Sequence, residues 1–277
     1  MKPDLTHGQA VSWSLGVMLA FVIAVQNVAL FVPSLAHDLV LGVGIQVAVY
    51  LSACALFSAR RPGRSFEDLF ALRRAPVLLL VTALALGLAL RAPIDFLQGA
   101  MEKVAPMPKE AHDHLAALLV PRNRVHAVAL ATVVGVLGPV VEELLYRGAL
   151  FTGLRSAAGV VSASVTTSLL FTLVHAEPRF WPPLFLLACC LAALRAASGS
   201  LWPGVLLHGA FNGTAVVMAF SAGKADALLQ RPAILVSSTV VSVLLFGVFL
   251  KLARGNSIAE RARSLDGQPA PAPEAMS

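Results

Sequence analysis

Apolar residues in this chain fall in long blocks separated by short polar stretches, not at alternating or amphipathic spacing. A helix rises 1.5 Å per residue and needs about 20 apolar residues to cross a hydrocarbon core. The pattern predicts eight such spans, over 11–32, 35–57, 76–97, 125–151, 160–175, 182–197, 201–220 and 233–252, with the fifth and sixth short. The stretch MEKVAPMPKEAHDHLAALLVPRNR, 101–124, is too polar to span and is expected at the membrane interface. From 253 to 277 the chain becomes charged and then Pro/Ala-rich, which predicts a disordered tail. Ser34-Leu35-Ala36 has the small-residue pattern of a signal cleavage site. The apolar block before it exceeds the roughly 7–15 residues of a signal core, so an uncleaved first span is expected.

Composition agrees. The chain has 277 residues, 57% of them hydrophobic and 13% charged, with mean hydropathy +0.78. Soluble domains run near 45–50% apolar and about 25% charged. The fold class expected is therefore all-α, a polytopic membrane protein of about eight transmembrane helices. The net charge of +6 reads as basic cytoplasmic loops, not as a nucleic-acid surface. Arg60, Arg61, Arg64, Arg73 and Arg74 form the densest basic cluster, in SARRPGRSFEDLFALRRA. Placing that loop in the cytoplasm puts both termini there as well. Lys103, Lys109, Arg122 and Arg124 then fall on the outer side, against the rule. Cys54, Cys189 and Cys190 show neither metal-ligand spacing nor a disulfide framework.

Charges inside such spans carry the chemistry. A charge at the bilayer centre costs roughly 2.5–3.5 kcal/mol even on the lenient insertion scale, so intramembrane ionisable groups are functional candidates. Three clusters lie on three predicted spans: Glu142-Glu143-x-x-x-Arg147, Phe171-x-x-x-His175 and His208-x-x-x-Asn212. Residues four apart share a helix face, so Glu143 can pair with Arg147, and His208 with Asn212 presents an imidazole and an amide together. An antiparallel hairpin of the fourth and fifth spans brings Glu142 and His175 to similar depth, with the active site inside the bundle. A carboxylate beside an imidazole can activate water, and imidazole and amide N–H groups can stabilise an oxyanion. The chemistry is hydrolysis of an acyl bond without a serine, cysteine or lysine nucleophile.

Structural readings compete with these. Glu143–Arg147 serves equally as an ion pair at a helix junction, and His208 and Asn212 as interhelical hydrogen-bonding glue. His175 near a span end could be an interface residue. His112, His114 and His126 sit in the interfacial stretch and read as a solvated amphipathic helix; Arg91 and Asp95 are expected to reach headgroups.

The three clusters match, in order, the motifs EExxxR, FxxxH and HxxxN, so the chain resembles the CAAX-protease and bacteriocin-processing (CPBP, Abi) family of intramembrane endopeptidases. The resemblance covers about 125–212 and the eight-helix plan. It implies that Glu142 activates water with His175 as its partner, that His208 and Asn212 stabilise the oxyanion, and that Glu143, Arg147 and Phe171 support them. It implies a glutamic-type mechanism with no metal; Glu142, His175 and His208 would nonetheless make three zinc ligands with an open fourth position, and that version stays open.

The expected organisation is an N-terminal three-span region with interfacial loop (1–124), a catalytic helical core (125–252) and a tail (253–277). The expected partners are the lipid bilayer and a membrane-anchored protein or peptide substrate, without nucleic acid. Ala-, Leu- and Arg-heavy usage points to a bacterial gene and so to a bacterial cytoplasmic membrane; C-terminal processing or sorting of surface proteins, as in myxosortase-like members, is one role that the resemblance implies. Two other functions compete: a non-enzymatic scaffold or bacteriocin-immunity protein, and a small transporter, the latter disfavoured because no paired interrupted helices occur in the two halves.

Overall fold

The computed structural model describes residues 5–32, 38–175, 177–221, 228–229 and 231–265, with side chains to residue 256. The Ser34-Leu35-Ala36 motif and residues 266–277 lie outside the described residues. Among the described residues every regular element is helical, in keeping with the all-α polytopic expectation. Helix α1 (His7–Phe31) begins with a capping box in which Thr6 and Gln9 satisfy each other's backbone N–H. Helix α2 (Leu39–Ala59) is capped by Asp38, which accepts from the N–H of Leu41. The basic loop then forms the short helix α3 (Phe66–Phe70), capped by Ser65 and closed by Ala71 at φ 54°. Helices α4 (Val77–Ala89) and α5 (Arg91–Val104) follow, and α6 (Lys109–Leu118) is amphipathic with no buried residue.

The next helical run extends from Arg124 to Leu173. It comprises α7 (Arg124–Thr132), a π-helical turn (Val133–Leu137), α8 (Gly138–Glu143), a second π turn (Leu144–Leu150) and α9 (Phe151–Leu173). Among the described residues seven helices are long and apolar enough to cross a membrane, and this run is one of them. At 50 residues it would measure about 75 Å if straight, far beyond a bilayer. It folds back at Gly159, whose φ of 78° and ψ of 172° are not helical; glycine tolerates that backbone because it has no Cβ. The Arg147 guanidinium consequently lies 4.6 Å from the Phe171 ring centre, although 24 residues separate them. The run is therefore the antiparallel hairpin expected for the fourth and fifth spans, and the seven helices provide eight passes.

A 3-10 turn (Pro178–Phe180) leads into α10 (Trp181–Ser198), which ends at Gly199 in the left-handed conformation. Helix α11 (Trp202–Phe220) follows, and α12 (Pro232–Leu265) closes the chain. The last differs from the expected disorder after 252, since residues 253–265 continue the helix. That segment has three alanines and three arginines among its thirteen residues, both good helix formers.

Two apolar cores flank the bundle's centre. One joins α1, α2, α3, the second π turn and α9 through Phe57, Phe70, Tyr146, Phe151 and Phe171. The other joins α4, α5, α10, α11 and α12 through Leu86, Leu191, Leu207, Phe211 and Phe249. Helices approach closely where glycines face backbone: a Cβ on Gly87 would lie 2.3 Å from the Leu207 carbonyl oxygen, and one on Gly209 would lie 2.7 Å from that of Gly135. Small residues permit such contacts between membrane helices. Arg91 and Asp95, expected to reach headgroups, instead pair with each other at 2.7 Å (Nε to Oδ2), and Arg91 lies 4.8 Å from the Phe211 ring centre.

Candidate active site

The carboxylate pair stands between two π turns, and the local sequence accounts for the first of them. Pro139 has no N–H to give to the carbonyl four residues back, and its ring crowds that carbonyl. The helix widens just before it, so that the N–H of Gly138 reaches the carbonyl of Val133, five residues away. Such turns are rare and concentrate at functional sites. Gly148, in the second π turn, faces Phe70 of α3 so closely that a Cβ would lie 3.0–3.4 Å from it. The basic loop that carries α3 thereby braces the helix carrying the acids.

Glu143 and Arg147 are fully buried and paired at 3.0 Å. Arg147 also donates to the Ala188 carbonyl at 3.0 Å. Glu143 Oε1 additionally faces His208 Nδ1 at 3.2 Å, while Nε2 of the same ring lies 3.6 Å from Glu142 Oε2. Glu142 is 14% exposed and accepts a 2.8 Å hydrogen bond from Gln46 on α2.

Phe171 is the hub of the cluster. Its ring lies 5.4 Å from Tyr146, 5.7 Å from His208 and 5.0 Å from His175. His175 makes its hydrogen bond from Nδ1 to the Phe171 carbonyl, at 2.8 Å. Trp181 donates from Nε1 to the His175 carbonyl at 2.7 Å. The imidazole directly beside Glu142 is thus His208, and His175 meets the cluster through Phe171. Asn212, one turn beyond His208, donates to the Val134 carbonyl in the first π turn at 3.4 Å.

Two participants escaped the motif reading. Gln46 carries the partner of Glu142, and its signal was a lone amide in an apolar span. Gly204 precedes His208 by one turn, so Gly204, His208 and Asn212 form one stripe on α11. A Cβ at Gly204 would lie 3.0 Å from Glu143 Oε2, so any larger residue would press on that carboxylate.

Zinc was the open alternative. Catalytic zinc needs three protein ligands converging near 2.0–2.2 Å from one point. Among the described residues no three His, Cys, Asp or Glu side chains are grouped to hold a metal ion. Glu142 and His208 approach each other at 3.6 Å, but His175 does not join them in such a group. The set as arranged does not fit that site, and no step below runs through a metal.

Fold and site together define a polytopic helical membrane protein with an acid–imidazole cluster within its bundle. Residues 124–214 match the family model described as Type II CAAX prenyl endopeptidase Rce1-like, so this part of the chain is similar to that family. The matched segment contains all seven motif residues, from Glu142 to Asn212, and agrees with the CPBP resemblance. No curated protein and no solved structure matches the chain. The protein is accordingly an integral membrane protein with a CAAX-protease-type domain, a class that acts as intramembrane endopeptidases on membrane-embedded protein substrates.

Proposed function

We propose that the chain hydrolyses a peptide bond in a membrane-anchored protein, using a water activated by Glu142. The observation that carries this reading is the 3.6 Å separation of His208 Nε2 and Glu142 Oε2. It is too long for a direct hydrogen bond and suits a water bridging the two. With Glu143 ionised, the His208 proton resides on Nδ1 and is donated to Glu143. Nε2 then offers a lone pair toward the same water.

Glu142 takes the water proton as the hydroxide oxygen bonds to the scissile carbonyl carbon. The resulting oxyanion needs N–H donors in a dry site, and the second amide hydrogen of Asn212 is the neutral candidate. His175, held at Nδ1, is the second imidazole within reach of the cluster. Collapse breaks the C–N bond, and the proton on Glu142 passes to the leaving amine. Arg147 and Phe171 hold Glu143 and the rings in register.

Arginines at 60–74 support a cytoplasmic position for that loop and for both termini, in a bacterial cytoplasmic membrane. The substrate we favour is the membrane-anchored C-terminal tail of a surface protein, a role that rests on the resemblance. The test is cleavage of a membrane-anchored peptide library by protein in liposomes, comparing wild type with Glu142→Gln and with added chelator. Activity lost in the variant and kept in chelator supports the reading. Loss in chelator restored by zinc overturns the metal-free mechanism, and equal activity of variant and wild type removes Glu142 as base. A scaffold keeping only the fold would cleave nothing in any arm.

A further inference from the structure

At the level where α2 ends at Ala59 and α10 ends at Ser198 lies a cavity of about 360 Å³. Its lining includes Arg64, Arg73, Arg155, Arg195, Asp68 and Thr152. Four guanidinium groups meet one carboxylate, and Asp68 is already engaged by Arg73 at 2.7 Å and by Ser65 at 2.9 Å. Arg195 lines the same cavity but is only 4% exposed. Its Nε donates to the Arg147 carbonyl at 3.0 Å and Nη2 to Thr152 at 3.1 Å, while Nη1 is buried with no partner. Arg155 and Arg73 stand near enough to add like charge to it. A buried cation held only by neutral acceptors and facing other cations lacks a counter-charge.

We propose that this cavity binds a phosphate group, carried by the headgroup of an anionic phospholipid or free in solution. Arginine forks match tetrahedral phosphate oxygens and bind them through charge-assisted pairs. The helix ends at this level mark the plane where headgroups lie, and basic juxtamembrane clusters draw anionic lipid there. The occupant would complete Arg195 and, through the Arg147 carbonyl, tie down the π turn that follows the acids. The proposal rests on this cavity and not on the proteolytic reading.

The test uses the full chain in neutral detergent, titrated with short-chain phosphatidylglycerol, with short-chain phosphatidylcholine and with inorganic phosphate, read by equilibrium binding and thermal melting. Variants are Arg155→Gln, Arg195→Gln and, as a control on an exposed arginine elsewhere, Arg124→Gln. Arg195→Gln could fail to fold, so Arg155→Gln, on an exposed residue, decides the matter. The expected result is saturable binding of phosphatidylglycerol over phosphatidylcholine, weakened about tenfold by Arg155→Gln, as for loss of one charge-assisted hydrogen bond, and unchanged by Arg124→Gln. Equally sensitive saturation by inorganic phosphate assigns the site to free phosphate. No saturable binding of either anion, or equal weakening by the two variants, overturns the proposal.

Discussion

His208 Nδ1 and Arg147 Nη1 converge on one oxygen, Oε1 of Glu143, at 3.2 and 3.0 Å. The second acid of the pair thus fixes the imidazole that faces the first. Glu143 has no solvent exposure and Glu142 keeps some, so the adjacent carboxylates are divided by environment into a structural anchor and a group open to reaction.

That division predicts opposite phenotypes for removing the reactive acid and for removing the partner of the buried one. Glu142→Gln retains a carbonyl oxygen for Gln46 and leaves no buried charge unpaired. Its cleavage rate should fall about 10²–10⁴-fold, the usual worth of a general base, with thermal melting close to wild type. Parallel melting and single-turnover cleavage check this; a variant that melts early would show Glu142 to be structural.

Arg147→Met should do the reverse, leaving Glu143 ionised and buried without its cation. Breaking such a pair costs about 3–5 kcal/mol, seen as a lower melting temperature or loss of folded protein from detergent. Adding Glu143→Gln to Arg147→Met should recover part of that stability but not full activity, because a neutral amide oxygen holds the His208 Nδ1–H less strongly than a carboxylate. A double-mutant cycle on melting free energies measures the coupling.

The pattern of apolar blocks predicted the passes, including the hairpin that stacks Arg147 on Phe171, because membrane spans are written in local composition. The motif residues were legible for the same reason: charge in an apolar run is conspicuous. What could not be read was which imidazole faces Glu142. The spacing of His175 and His208 does not distinguish them, because which ring reaches Glu142 is set by how α9 and α11 pack around the acids. Gly204 was equally hidden, since its meaning lies in a carboxylate 61 residues upstream that only tertiary packing brings to it.

Outside the membrane, Asp68 links α3 to the basic loop. Its hydrogen bonds from Arg73 and Ser65 hold its carboxyl below the usual 3.8. A depressed folded value means that the stabilisation is fully present above the unfolded value and is lost as pH falls through the folded one. Protection of residues 65–73 in hydrogen exchange should therefore hold at pH 5 and fade below about pH 3.8. Asp68→Asn should flatten that dependence, and an unchanged profile would show that α3 is held by Phe70 packing alone.

Gly204 gives the sharpest test of the anchor. A methyl group there would come within 3.0 Å of Glu143 Oε2, and the fully buried carboxylate can yield only by turning away from His208 or Arg147. Alanine otherwise favours a helix interior over glycine by about 0.8–1.0 kcal/mol, so Gly204→Ala should cost activity more than it costs fold. Gly213→Ala, where a Cβ meets nothing within 4 Å, is the matched control and should leave cleavage unchanged. If the two alanine variants cleave alike while both fold, the Glu143–His208 contact does not limit catalysis, and His208 is positioned by some other means than the buried acid.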